Sequence, residues 1–130
     1  MKVKLKLQDT EEASKGIFLK NGRMLLVKIA NHPKYDIPGG KLKFGESREQ
    51  GLFRECLEEV NLKVKKAEMI GRNAEREKNF FLVSEWTGEI KLQLEEVDKY
   101  RWVKVKNALD YTLTKTATEA IKLLQTILQP

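Results

Sequence analysis

Apolar and polar positions alternate from the first residue. "MKVKLKLQDT" sets Val3, Leu5 and Leu7 on one side and lysines on the other, the period of a half-exposed strand rather than the continuous apolar block of a signal peptide. "GIFLKNGRMLLVKI" follows, two apolar runs about Asn21-Gly22, a dipeptide that accepts the positive φ of a tight turn, and it predicts two antiparallel strands. "ANHPKYDIPGGKLKFGES" then breaks the pattern with Gly, Pro and polar residues and predicts a long loop without regular structure, a kind of segment that usually carries function in a compact domain.

From Ser47 the period becomes helical. Ser47 is placed to cap, Gln50 stands at the capping-box position, and Leu52, Phe53, Cys56, Leu57 and Val60 form one apolar face. Asn61 ends the run with a residue that tolerates the left-handed conformation. Beyond it, "KNFFLVSEW" and "GEIKLQL" predict a second hairpin about Thr87-Gly88, "YRWVKV" a further strand, and "TKTATEAIKLLQTIL" an amphipathic helix. Strands interleaved with two helices predict an α/β fold in which a mixed sheet carries a helix on each face.

A length of 130 residues fits one globular unit, residues 1–130, and no apolar run is long enough to span a bilayer, so the expectation is a single soluble, cytoplasmic domain. The balance of 25 Lys and Arg against 19 Asp and Glu gives a net charge of +6 and favours an anionic partner. The lysines are scattered along alternating strands and not clustered with exposed aromatics, which points away from nucleic acid. One Cys and one His provide neither a disulfide nor a zinc site of the usual kind, so any metal would be held by oxygen.

Against the basic background, "RECLEE" over residues 54–59 crowds three carboxylates into six positions. Glu55, Glu58 and Glu59 stand at i, i+3 and i+4 of the predicted helix, within reach of a common point and, on this reading, apart from the apolar face. Arg54 is spaced to pair with Glu58, and one arginine leaves the set acidic. A divalent cation would relieve the repulsion, and all-oxygen ligation suits Mg²⁺, with Mn²⁺ as a substitute. Acidic helix faces are commonly just solvated, so the context decides. Gly51 lies one turn before Glu55, where a missing side chain leaves room for a phosphate. Upstream, Gly39 and Gly40 permit close backbone approach to a ligand, Lys41 offers a cation, and Glu46 is a fourth acid.

Gly40, five residues, Glu46, seven residues and then "RECLEEVNL" from Arg54 to Leu62 resemble the signature of the Nudix hydrolases, with every charged position matched. Cys56 stands where an aliphatic residue is usual, and Asn61 where the family has glycine. The resemblance extends to the preceding hairpin, to "DIPGG" and to "YRWV". It implies an α/β/α sandwich and hydrolysis of a nucleoside diphosphate linked to another moiety: a nucleoside triphosphate, a dinucleoside polyphosphate or a nucleotide sugar. It also implies Glu55 and Glu59 as metal ligands with Glu58 sharing the metal or pairing with Arg54, Arg54 orienting the glutamates, and Gly39, Gly40 and Lys41 on substrate.

Glu96, six residues before Trp102, is a candidate second-loop ligand or general base. Arg23, Arg72 and Arg76 are weighed as phosphate contacts against ordinary surface charges, and Tyr35, Phe44, Phe80, Phe81 and Trp86 as base-stacking groups against core residues. His32 is either a lining residue of the substrate mouth or simply exposed. Residues 63–80 contain neither proline nor tyrosine, the subfamily markers expected there, so the substrate stays open. So does the oligomeric state, a homodimer included. The alternative implied is a Nudix-fold nucleotide-binding or adaptor domain without catalysis.

Overall fold

The computed structural model describes residues 8–129, so the alternating stretch before Gln8 lies outside the described residues. In chain order the elements are β1 (Asp9–Lys20), β2 (Arg23–Ile29), β3 (Tyr35–Asp36), β4 (Gly39–Lys43), α1 (Arg48–Val60), β5 (Lys63–Asn73), β6 (Lys78–Thr87), β7 (Val97–Lys104), a 3₁₀ turn (Val105–Asp110) and α2 (Lys115–Leu128). The described strands form one mixed sheet of order β3-β2-β1-β6-β5, with β4 also on β1 and β7 also on β2.

β1 organises the sheet by changing partners along its length. Its end, Leu19 and Lys20, turns through Asn21-Gly22, both at positive φ, into antiparallel β2. Its beginning pairs with β4 on one side, and residues 13–18 run parallel to β6 on the other. Each face buries its own core. Ile17, Met24, Phe80 and the Ala117, Ala120, Ile121 and Leu124 stripe of α2 form one. Phe18, Leu25, Phe81, Val83 and the Leu52, Cys56 and Val60 stripe of α1 form the other. The mixed sheet with a helix on each face is therefore as expected from the pattern. Among the described residues no helix is long and apolar enough to cross a membrane.

Four expectations are corrected. The loop before α1 is not free of regular structure, because β3 and β4 lie within it. The second hairpin is β5–β6, closed by residues 74–77, and not a hairpin about Thr87-Gly88. Residues 89–96 form no strand; their backbone bonds to the end of α1 instead, Lys91 N–H donating to Val60 O at 3.0 Å and Gln93 N–H to Glu59 O at 2.9 Å. Lastly, Phe53 and Leu57 are 41% and 50% exposed, so they are not core residues. The helix is rotated from the expected apolar face, and its buried stripe is Leu52, Cys56, Glu59 and Val60 with Gly51.

Candidate active site

Local chemistry sets both ends of α1. Ser47 Oγ accepts from Gln50 N–H and Gln50 Oε1 accepts from Ser47 N–H, the reciprocal capping box, while Asn61 closes the helix at φ 63°. Between the caps, seven residues from Leu52 to Glu59 make nearly two full turns, so the two side chains lie about 20° apart around the axis. A glutamate therefore sits inside the apolar stripe. Glu59 is 7% exposed, and its Oε1 is the buried side-chain oxygen without a hydrogen-bond partner among the described residues. Desolvation pushes its carboxyl up to about 7, with Asp36, Glu96 and Glu55 adding repulsion and Lys15 opposing. The acid cluster and the core are thus not on separate sides of the helix, contrary to the sequence-based expectation.

Glu55 lies at the stripe's edge, half-buried against β4. A β-carbon built on Gly40 would stand 2.6 Å from Glu55 Oε2, so glycine there lets the carboxylate lie against the strand backbone. Burial raises the Glu55 pKa, partly offset by Arg54. Gly51 serves packing, not a phosphate: a β-carbon there would overlap Leu42 Cδ2 of β4, so the missing side chain seats the helix on the sheet.

Arg54 ties the acids together. Its Nε and Nη2 donate to Glu46 Oε2 and Oε1 at 2.8 and 2.9 Å, a bidentate pair. Nη1 donates to Glu55 Oε1 at 3.0 Å and Glu58 Oε2 at 3.1 Å, and Nη2 also reaches Lys41 O at 3.0 Å. The Arg54 hydrogen bond is the main reason the Glu46 pKa is lowered. Glu58, 52% exposed, contributes to this arginine and not to the buried pair. Because Arg54 Nη1 lies between Glu55 and Glu58, the three box carboxylates are not gathered on one point; among the described residues no three metal-ligating side chains form a ready-made cluster.

Glu96 is exposed on the 89–96 segment and near enough to Glu55 and Glu59 to raise both their pKa values. The segment is held by Gln93 N–H on Glu59 O and by Ala30 N–H on Glu96 O at 2.9 Å. Gly39 adopts φ 133°, and its carbonyl accepts from Lys15 Nζ at 3.3 Å. The Lys41 side chain is exposed and leaves β4 on the face away from Glu55.

Two residues at the site went unnoticed in the sequence. Lys15 of β1 donates to Asp36 Oδ2 at 3.0 Å, and Asp36 Oδ1 accepts from Thr114 Oγ1, the N-cap of α2, at 3.0 Å and from Ile37 N–H at 2.8 Å. Burial works against the Lys15 charge, but Asp36 and then Glu59 outweigh it and raise its pKa. A signal existed: Lys15 interrupts the same-face stripe Ala13, Lys15, Ile17, Leu19, where an apolar residue is due.

The other candidates are structural or remote. Arg72 bonds Glu12 and Asn79, and Arg76 bonds Glu119 and Thr116. Arg23 opens β2 opposite Lys20, at the far end of β1 from Lys15, about 17 Å along the strand. His32 is exposed and its Nδ1 accepts from Lys34 N–H. Tyr35, Phe80 and Phe81 are core residues, Trp86 stacks on Trp102, and Phe44 is exposed.

The fold and the box in its cap-to-cap helix define the class. The family model of the NUDIX domain matches residues 12–126, and the chain belongs to this family. It is 33% identical over 118 residues to the NAD-capped RNA hydrolase NudC of Actinobacillus succinogenes, a match covering 88% of this chain and 44% of that protein. The chain thus spans under half the length of that relative. Among solved structures it resembles the E. coli ORF135 protein, with a TM-score of 0.77, 21% identity and 89% coverage of each chain. It also resembles the NUDIX domain of Shewanella oneidensis NrtR complexed with ADP ribose, with a TM-score of 0.71 and 19% identity over 98% of this chain and 91% of that one. At these identities the shared property is the fold.

Proposed function

We propose that the chain hydrolyses the diphosphate linkage of a nucleoside diphosphate derivative with the help of a divalent cation, Mg²⁺ or Mn²⁺. The observation that carries this is Glu59: a buried carboxylate with an unpartnered oxygen, next to half-buried Glu55, is costly unless a ligand completes it. The donor set fits a hard cation, since Glu55, Glu59 and Glu58 supply only oxygen. When bound, the cation would neutralise phosphate charge and make nearby water more acidic.

The chain's own residues supply the rest. Arg54 holds Glu55 and Glu58 in place and, through Glu46, fixes them to β4. The space at Gly40 is taken by Glu55 and that at Gly39 by the β1 backbone, so these glycines seat Glu55 and β1 and do not make the phosphate contact expected of them, while Lys41 adds positive charge at the strand's exposed side. Glu96, on the tethered segment, takes the proton of the attacking water as oxygen bonds to phosphorus and the anhydride P–O bond breaks to the leaving phosphate. The relative named as an NAD-capped RNA hydrolase, and a neighbouring structure holding ADP ribose, support a substrate with a nucleotide-linked diphosphate. A binding domain without turnover would not need all the charged box positions, and none is missing here.

The test is release of phosphate or nucleotide from a panel of nucleoside triphosphates, dinucleoside polyphosphates and nucleotide sugars, with Mg²⁺ and with chelator. Metal-dependent turnover is expected on at least one class. Binding without turnover on every class would leave only the adaptor reading.

A further inference from the structure

The strand registers place three lysines around one alanine. Ala13 of β1 pairs with Lys41 of β4 on one side and with Lys78 of β6 on the other, and Lys15 follows two residues along β1. Register partners and i, i+2 neighbours share a sheet face, so the three side chains surround a buried residue that offers only a methyl group. Lys15 is occupied by Asp36 at 3.0 Å, and the acid that Lys41 meets among the described residues is the exposed Glu11, at 3.7 Å. Lys78, half-buried, has no acidic partner among the described residues. Arg76 adds a fourth cation nearby, tied to Glu119 and Thr116. Burial first, then Lys15 and Arg76, lower the Lys78 pKa, and Asp36, already bonded to Lys15, opposes them only in part, so the cations here outnumber the counter-charge beside them. The patch lies on the sheet face away from Glu55 and meets the candidate active site through Lys15, which bonds the Gly39 carbonyl and whose charge acts on Glu59.

We propose that this patch, with Lys78 as its reading residue, binds a phosphate group of the substrate beyond the diphosphate being cleaved. This rests on the hydrolase reading above and narrows it. The substrates favoured are phosphate-rich, whether free polyphosphorylated nucleotides or a 5′-polyphosphorylated RNA end, and diphosphates ending in an uncharged sugar are disfavoured. A nucleobase would want an apolar or aromatic floor, yet Phe80, the nearest aromatic on the same face of β6, is buried in the core.

Steady-state kinetics on a dinucleoside tetraphosphate, a 5′-triphosphorylated oligoribonucleotide and a nucleotide sugar test it, with Lys78→Met, Lys78→Arg and the parent compared after circular dichroism confirms that each is folded. Lys78→Met should raise KM for the phosphate-rich substrates about tenfold more than for the nucleotide sugar, the loss of one charge-assisted contact. Lys78→Arg should restore most of it, and the preferred source is whichever phosphate-rich substrate gives the higher kcat/KM. Equal loss on all substrates, or none, overturns the proposal. Independently, inorganic tripolyphosphate titrated into the metal-free protein should give saturable amide shifts at Ala13 and Lys78 that weaken in Lys78→Met. Absence of those shifts in the parent overturns the anion site even where turnover is found. Their presence without turnover on any substrate retains the site and removes the hydrolase reading.

Discussion

The α-carbon of Gly40 and the carboxylate of Glu55 are so close that a β-carbon on the glycine would lie 2.6 Å from Glu55 Oε2 and 2.7 Å from its Cδ. The two residues belong to different elements, β4 and α1, and each limits the other. Gly40→Ala should therefore move the flexible end of Glu55 while leaving the core intact. Thermal unfolding should change by less than about 1 kcal/mol, and turnover should fall on the order of tenfold or more. Unchanged turnover would show that Glu55 need not lie against the strand.

Gly51→Ala should behave in the opposite way. The added methyl meets buried Leu42, not a mobile carboxylate, so overpacking of about 1–3 kcal/mol should exceed the gain in helix propensity of up to about 1 kcal/mol. Chemical denaturation measures the net loss of stability. A more stable variant would mean that Leu42 repacks freely.

Glu59→Gln separates chemistry from stability. Metal-dependent turnover should drop on the order of a hundredfold or more, since the buried acid within the stripe is lost. In the metal-free parent burial raises the Glu59 carboxyl to about 7 from its ordinary 4.5. A raised carboxyl favours the folded state at pH below the unfolded value, and that contribution is lost as pH climbs through the folded one. The parent should thus lose on the order of 3 kcal/mol between pH 4 and pH 8 from this group, and the glutamine variant should not. Metal-free Glu59→Gln should accordingly be the more stable of the two at pH 8. Parallel stability curves for parent and variant would refute the burial argument.

Arg54→Lys tests the organising role of the guanidinium. A lysine cannot make the paired contacts to Glu46 while also reaching Glu55 and Glu58. Stability should fall by about 1–2 kcal/mol, moderated by the partial exposure of the site, and kcat should fall with it. Because the Glu46 pKa is lowered by the arginine, the parent holds stability above the ordinary carboxylate range that it loses on acidification, and the variant should show less of that acid-dependent loss.

Lys15→Met leaves Asp36 facing Thr114 and the Ile37 amide with its cation gone. Denaturation should show a loss of about 3 kcal/mol, the cost of an unpaired buried charge, and Asp36→Asn in the same chain should recover part of it, because the amide oxygen still accepts both hydrogen bonds. Additive losses in the double variant would mean that the pair is not coupled.

Much of α1 was legible because its determinants are local. Ser47, Gln50 and Asn61 act on backbone groups within four residues, and Asn21-Gly22 closes its own turn, so neighbours in sequence suffice. The box spacing identified the acids for the same reason. β5 was missed because three register irregularities against β6 break its two-residue alternation, and 89–96 was misread because its backbone partners are the helix end, not another strand.

The sequence by itself determined the caps, the first hairpin, both helices and the set of acidic residues, all of them consequences of short-range backbone and side-chain chemistry. Only the tertiary structure decided which acids share a site and in what state. Docking of α1 on β4 and β1 buries Glu59 and lays Glu55 on Gly40; the meeting of β1, β3 and α2 sets Lys15 on Asp36; and pairing of β1 with both β4 and β6 gathers Lys41 and Lys78 around Ala13. Desolvation and long-range charge are properties of surroundings assembled from residues up to 78 positions apart, as Asp36 and Thr114 are, and no local pattern encodes them.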